Sequence, residues 1–301
     1  MTETSGPWTV RRLLEWTSTF FTRKEVDSPR LSAELLLSHV LSVPRIKLYT
    51  NFDRPLKESD LTAYRDLVRR AGEHEPVAYL TGKAYFFNLE LEVQPGVLIP
   101  RPDTETLVEN VLQTVRHQSG LESPRILDLC TGSGCIAAAL AMGLKSATVV
   151  ATDISPQAVA AAKANLHRLG LADRTTVTQG DLFEAINGTV NAAPFHLIVS
   201  NPPYIPRAQI QSLDRNVRDY EPAEALDGGP DGLDFHRRIL IQAADRLLPD
   251  GLFFLEIAFD QGPAALALGE SFSDYTNIRL LRDYAGNNRI LAGRRKQASL
   301  S

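Results

Sequence analysis

The sequence predicts an α/β fold, a mainly parallel sheet with a late antiparallel edge hairpin, preceded by a small helical bundle and a β-hairpin linker. Three observations predict it. From Arg125 onward, short β-favouring runs alternate with helical ones, the pattern of a parallel sheet covered on both faces. The last two of those runs lie close together around Ala285-Gly286-Asn287-Asn288, which suits a hairpin. Before about residue 80, by contrast, apolar residues recur at helical spacing.

Residues 1–80 form the predicted bundle. Leu13, Trp16 and Phe20 recur at three- and four-residue steps. Ser28-Pro29 reads as an N-cap with proline in the first turn of a helix through Ala33, Leu36, Leu37 and Val40. Leu61, Tyr64, Val68 and Ala71 share one side of a later helix that Gly72 and Pro76 bound. No catalytic constellation lies in this stretch, so packing or recognition is its expected role. Residues 81–102 are the linker, where the period changes to two. Leu89, Leu91 and Val93 alternate with Glu90 and Glu92, and Val97-Leu98-Ile99 follows the turn signal Gln94-Pro95-Gly96, which predicts a hairpin between these runs. Residues 103–301 form the large domain. It opens on a helix through Leu107, Val111 and Val115 that Asp103 is placed to cap. Strands are expected at 125–129, 148–152, 175–179, 196–200, 252–257, 276–281 and 289–292, with helices at 135–141 and 156–169 between the early ones. The tail 293–301 reads as polar and frayed.

Composition narrows the class. A formal net charge of -4 carries no bulk footprint for nucleic acid or an anionic membrane. No apolar run reaches the length of a membrane span, and the opening Met-Thr-Glu-Thr-Ser-Gly-Pro lacks the basic and apolar regions of a signal peptide. Cys130 and Cys135 are too few for a disulfide framework, and without a histidine cluster they make a poor zinc site. A cytoplasmic monomer is expected, with no metal, no membrane and no direct nucleic-acid partner.

The chemistry gathers at strand ends, where open parallel sheets bind ligands. Phe195-His-Leu-Ile-Val-Ser-Asn-Pro-Pro-Tyr-Ile-Pro206 reads as a strand that stops at a proline corner. Asn201 offers an amide oxygen and NH2 there, prolines 202 and 203 lack N–H groups to occupy neighbouring carbonyls, and Tyr204 adds an aromatic face. Two acceptors and a ring suit a planar group bearing an NH2. Earlier, Asp128-Leu129-Cys130-Thr131-Gly132-Ser133-Gly134 runs from a strand into a glycine-containing loop and a small-residue helix, whose unpaired N–H groups suit a carboxylate. Asp153, ending the next strand, is placed to hold ribose hydroxyls. Asp181, ending the third, is placed to accept from an adenine amine, with Leu182 or Phe183 against the ring. Taken singly, each has a plainer reading: a simple turn, a helix-start acid, an ordinary loop acid, and for Arg101 a solvated charge at a helix start. Four features at successive strand ends favour a cofactor site. A nicotinamide dinucleotide would prefer Gly-x-Gly-x-x-Gly, whose third position here is Ala137.

Asn-Pro-Pro-Tyr after an apolar strand resembles the signature of enzymes that use S-adenosylmethionine to methylate an amide or exocyclic amine nitrogen. The chain as a whole resembles the protein-(glutamine-N5) methyltransferase family, HemK/PrmC, that modifies peptide chain release factors. The matching stretches are 75–82, 97–105 (Val-Leu-Ile-Pro-Arg-Pro-Asp-Thr-Glu), 128–134, 201–205, Tyr220-Glu221-Pro222 through Gly228-Gly229-Pro230-Asp231-Gly232-Leu233, and Asp283-Tyr284-Ala285-Gly286. The resemblance implies a Rossmann-like methyltransferase domain and a first domain that helps engage the release factor. It implies that Asp128, Cys130, Thr131, Gly132, Ser133, Gly134, Asp153, Asp181, Leu182 and Asn201 form the S-adenosylmethionine site. Asn201, Pro202, Pro203 and Tyr204 would bind the glutamine, with Arg101 lining the site and Asn201, Pro202 and Tyr204 acting in catalysis. Cys130 departs from a common glycine and Leu182 from a frequent tryptophan. Two related activities share these features: a glutamine methyltransferase for a ribosomal protein, and a DNA adenine methyltransferase, which the acidic balance disfavours.

Overall fold

The computed structural model describes residues 6–188 and 190–297. Most of the opening stretch read against a signal peptide lies outside them. By its contacts the chain divides into two compact units, one of residues 1–83 with 214–220, the other of residues 84–213 with 221–301.

The first unit begins with α1 (Val10–Arg23), α2 (Pro29–Leu41), α3 (Arg45–Thr50), α4 (Glu58–Gly72) and α5 (Val77–Thr81). Its core joins Leu14, Phe21, Leu36, Leu37, Tyr64 and Val68, and the Tyr64 hydroxyl donates to the Ala33 carbonyl at 3.1 Å. Leu13 is buried as its spacing predicts, but Trp16 is 52% exposed and stacks on Phe20 with ring centroids 5.4 Å apart. Ser28 precedes α2 in a left-handed conformation, φ +44°, and its side chain caps nothing; the Ser32 hydroxyl instead donates to the Asp27 carbonyl at 2.7 Å. The 214–220 segment joins these helices, with Tyr220 Oη donating to the Glu73 carbonyl at 3.1 Å.

A hairpin of β1 (Lys83–Phe86) and β2 (Leu89–Glu92) comes next. The second strand is the one the alternation predicts, but its partner lies upstream, not at 97–99. Phe87 and Asn88 both take positive φ, +48° and +63°, the requirement of a two-residue hairpin turn that matches strand twist. Ile99 is taken elsewhere: its N–H donates to Glu221 Oε2 at 3.1 Å.

The remaining elements are α6 (Asp103–His117), β3 (Arg125–Leu129), α7 (Cys135–Gly143), β4 (Thr148–Asp153), α8 (Pro156–Arg168), β5 (Thr175–Gln179), β6 (Phe195–Ser200), α9 (Arg215–Arg218, in the first unit), α10 (Asp234–Arg246), β7 (Leu247–Glu256), α11 (Gly262–Glu270), β8 (Tyr275–Arg282) and β9 (Asn288–Arg295). Asp103 does not cap α6; it is the first helical residue, and its carboxylate pairs with Arg289 at 3.0 Å. The sheet runs β5-β4-β3-β6-β7-β9-β8, parallel through β7, with β9 antiparallel to β7 and to β8. This is the Rossmann-like methyltransferase arrangement with its antiparallel edge hairpin. The tail does not fray where expected, since β9 runs on to Arg295; residues 298–301 lie outside the described residues.

Both faces of the sheet are dry. Ile126, Leu197, Val199 and Phe254 pack on one side with α6, α7 and α8, while Leu127, Leu129, Ile198, Phe253 and Leu255 pack on the other with Ile239 and Leu240 of α10. Alternate residues feed alternate faces, as period two requires. Strand order reverses between β3 and β6, so their carboxyl ends open the crevice that such sheets use for ligands.

Candidate functional site

The loop after β3 is held from several directions. Thr131 N–H donates to the Thr152 carbonyl at 3.0 Å and Gly132 N–H to Asp153 Oδ2 at 2.8 Å, which tie the loop to the end of β4. Asp128 Oδ2 accepts from Thr131 Oγ1 at 2.6 Å and from Ala137 N at 3.2 Å. Burial outweighs those bonds and pushes the Asp128 carboxyl up to about 7. From behind, Asn165 of α8 donates through Nδ2 to the carbonyls of Glu92, at 2.9 Å, and Ser133, at 3.0 Å, while its Oδ1 accepts from Glu92 N at 2.7 Å. One buried amide thus joins β2, α8 and the loop. Gly134 has φ +81°, and a Cβ there would meet Ala162 at 3.1 Å, so glycine is what lets α8 pack this close. Cys130 turns the chain at φ +57° without being glycine.

A cavity of about 200 Å³ lies at these strand ends, lined by Cys130, Gly132, Asp153, Asp181, Leu182, Asn201 and Pro203 among others. Nothing lies within 4 Å of where a Gly132 Cβ would stand, so the backbone there is open to a close ligand. Asp153 uses both oxygens on backbone donors, Oδ2 on Gly132 and Oδ1 on Ser155 N at 2.9 Å, and each keeps acceptor capacity. Burial raises its pKa, opposed by the Ser155 and Gly132 bonds. Asp181 Oδ2 accepts from Arg238 Nη2 at 2.6 Å, a half-exposed pair that contributes little to stability.

At the proline corner Asn201 donates through Nδ2 to Thr104 Oγ1 at 3.0 Å, and its Oδ1 accepts no hydrogen bond among the described residues. The Pro202 carbonyl has no hydrogen-bond partner among them either. The Tyr204 carbonyl, by contrast, accepts from Gln261 Nε2 at 2.8 Å, and the Tyr204 hydroxyl donates to Glu256 Oε1 at 3.2 Å. Glu256 is wholly buried at the end of β7, and burial pushes its carboxyl up to about 7 against the Thr104 hydroxyl, the Arg289 guanidinium and the Tyr204 hydroxyl. Burial of Tyr204 and the neighbouring Glu256 raise its phenol pKa.

Of the residues singled out in the sequence, Asp128, Thr131, Ser133, Gly134 and Tyr204 do not line this cavity, and Pro202 lies between two that do, Asn201 and Pro203. Arg101 is likewise off the wall, its Nη2 on Glu221 Oε1 at 2.5 Å. Sequence reasoning missed Phe235 and Arg238, which α10 brings to the wall, because it followed strand ends only. It also missed Thr104 and Glu256. The signal for Glu256 was present: a lone acid inside the apolar run Leu252–Ile257 must either find partners or lose its charge.

Comparison with known proteins agrees with this geometry. Residues 12–82 match the family model described as the PrmC N-terminal domain, and residues 102–216 match the methyltransferase small domain. The chain is 43% identical over 295 residues to a release factor glutamine methyltransferase of Rhodopirellula baltica, covering 97% of this chain and 99% of that one. It is 42% identical to the protein of that name from Geobacter sulfurreducens, covering 98% and 99%. Among solved structures the human Mettl16 catalytic domain is similar with a TM-score of 0.51 at 20% identity, over 69% of this chain and 76% of that one, a likeness of fold alone. With near-complete coverage at this identity, and the proline corner and glycine loop meeting at one cavity, the chain belongs to the release factor glutamine methyltransferase family.

Proposed function

We propose that the protein transfers the methyl group of S-adenosylmethionine to the side-chain amide nitrogen, N5, of the glutamine in the Gly-Gly-Gln segment of a peptide chain release factor. It acts on this reading as a cytoplasmic monomer without a direct nucleic-acid partner, and residues 1–80 help engage the release factor. The observation that carries the reading is the Asn201 amide, whose NH2 donates to Thr104 while its oxygen, beside the cavity, has no partner among the described residues. That oxygen and the Pro202 carbonyl suit the two hydrogens of a substrate amide, and no charged group is required.

The residues present fit the methyl donor. Gly132 leaves room for close backbone approach, Asp153 offers acceptors to ribose hydroxyls, and Leu182 with Phe235 supplies apolar wall for the base. Bound there, S-adenosylmethionine supplies an electrophilic methyl group on a positively charged sulfur. A glutamine nitrogen is a poor nucleophile because its lone pair is delocalised into the carbonyl. Asn201 Oδ1 and the Pro202 carbonyl orient that nitrogen and stabilise positive charge as it develops, which is positioning with preorganised dipoles. Tyr204 contributes by fixing the corner, since its carbonyl and hydroxyl are both held by protein groups.

Incubation with labelled S-adenosylmethionine and a release factor, followed by peptide mapping, tests the reading. The label is expected on the Gly-Gly-Gln glutamine; a methyl group on an adenine, or on another protein residue, overturns it. Asn201→Ala should remove most turnover while leaving much of the cofactor affinity, because an interaction made mainly in the transition state is lost. Asn201→Asp keeps an acceptor but loses the donor to Thr104 and adds charge beside the sulfonium, so it too should bind cofactor and methylate poorly.

A further inference from the structure

An acid that recognises an amine needs one oxygen free and its carboxylate held still. Asp181 meets both conditions, and it does so through a residue 57 positions away on another element. Its backbone is fixed at the cavity from two sides: Gly180 N–H donates to the Asp153 carbonyl at 2.9 Å, and the Asp181 carbonyl accepts from Glu184 N at 3.0 Å. A Cβ at Gly180 would meet Ala185 Cα at 2.7 Å, so glycine is what lets the chain pass this close to the turn that follows. The side chain is less protected. It is 32% exposed, and a carboxylate on a freely rotating stem would turn both oxygens to water.

Arg238 removes that freedom. From α10 its Nη2 donates to Asp181 Oδ2 at 2.6 Å, a charge-assisted bond, while Oδ1 accepts no hydrogen bond among the described residues. The guanidinium is itself seated, its central carbon 5.5 Å from the centroid of the Phe235 ring, three residues back on the same helix. Asp181, Phe235 and Arg238 all line the cavity together with Leu182. A half-exposed pair of this kind is worth little to the fold, so its value lies in what the cavity binds.

Adenine carries an amine at C6. Hypoxanthine, nearly the same in size, carries an oxygen there and a proton on N1. Facing Asp181 Oδ1, the first gives a hydrogen bond and the second sets acceptor against acceptor. Leu182 is buried on the cavity wall and covers a base with less area than a large aromatic ring, so recognition here depends more on the edge of the base than on its face.

We infer that Arg238 acts through Asp181 as a positioning residue that makes the cofactor pocket select a 6-amino purine over a 6-oxo one. The inference rests on the function proposed above, in which this cavity takes S-adenosylmethionine. Arg238 holds one oxygen, and the other is thereby presented to the amine. Were Arg238 only a surface for the ring, or only a contact of the fold, its loss would weaken every purine alike.

The test measures, by calorimetry on the full-length protein without release factor, the affinities of S-adenosylhomocysteine and S-inosylhomocysteine, which differ only at that edge of the base. The original protein should bind the adenosyl compound about ten- to a hundredfold more tightly, the worth of one hydrogen bond to a charged group. Arg238→Ala should lower that ratio by about threefold or more. Asp181→Asn, whose amide can turn a donor toward the oxo group, should bring the ratio to within about threefold of one. In the Asp181→Ala background, Arg238→Ala should change the ratio by less than about twofold, because a residue that acts only through Asp181 has nothing left to hold.

The ratio cancels whatever the guanidinium does to the charge of the cofactor or to the stability of the fold. An original ratio under about tenfold, a fall of less than about threefold in Arg238→Ala, the original selectivity kept in Asp181→Asn, or a further change beyond about twofold in the double variant overturns the inference. Binding of neither compound overturns it together with the cofactor site. A protein that shows the expected ratios while methylating no glutamine overturns the proposed function and leaves the role of Arg238 standing; a methylated glutamine with no preference for the adenosyl compound overturns the inference alone.

Discussion

Cys130, which the family resemblance marks as a departure from glycine, takes a left-handed conformation, φ +57°. A side chain there costs roughly 1–2 kcal/mol over a relaxed backbone. The substitution was legible in the sequence; its backbone meaning needed the turn to be seen. The same holds for Asp153. Strand-end position marked it as a ligand for ribose, yet its carboxylate also closes the loop by accepting from Gly132 and Ser155. Asp153→Ala should therefore weaken S-adenosylmethionine binding by about one to two powers of ten, from lost charge-assisted hydrogen bonds. Calorimetry on the folded variant checks it, and unchanged affinity would remove Asp153 from the cofactor site. Thr104, one residue past Asp103 in a stretch already singled out, was invisible as a partner of Asn201 because 97 positions separate them.

Among the elements, the strands of the main sheet were readable because β-branched and apolar runs bounded by turns leave few alternatives. The linker hairpin was not, since 83–86 and 97–99 both fit the partner role and only the left-handed pair Phe87 and Asn88 decides between them. Elements also carry links that no local pattern announces. Asn165 on α8 reads as an ordinary helix-interior polar residue, but it is fully buried and serves both the N–H and the carbonyl of Glu92 as well as the Ser133 carbonyl. Asn165→Ala leaves those backbone groups unsatisfied in a dry place, and should destabilise the fold by roughly 2–4 kcal/mol. Denaturant unfolding measures this directly, and a change below about 1 kcal/mol would mean the backbone finds water instead.

At the scale of the whole molecule the buried acids set a pH dependence. Asp128 and Glu256 are both pushed up to about 7, so between pH 4 and 7 the native state keeps protons that the unfolded chain has released. Their contribution to stability is present at low pH and is lost as pH rises through about 7. His236 works the other way: burial lowers it to about 4, so stability is lost as pH falls from its ordinary 6.5 toward 4. Asp128→Asn keeps an acceptor for Thr131 and Ala137 but cannot titrate, so its Tm should fall less than that of the original protein between pH 4.5 and 7. Parallel Tm curves for the two proteins would mean Asp128 does not carry a raised pKa.

The 214–220 segment reaches further than its length suggests. It is covalently part of the stretch that follows the Asn-Pro-Pro-Tyr corner, yet it belongs by packing to the helices of the first unit. As a unit of inheritance the helical part therefore comes in two pieces. A recombination that exchanges residues 1–83 with those of a relative brings new helices against an old segment, and the Tyr220 hydroxyl then meets a foreign carbonyl in place of that of Glu73. A replacement of residues 1–83 must therefore present a carbonyl where that of Glu73 stands, 147 positions from Tyr220 in the chain.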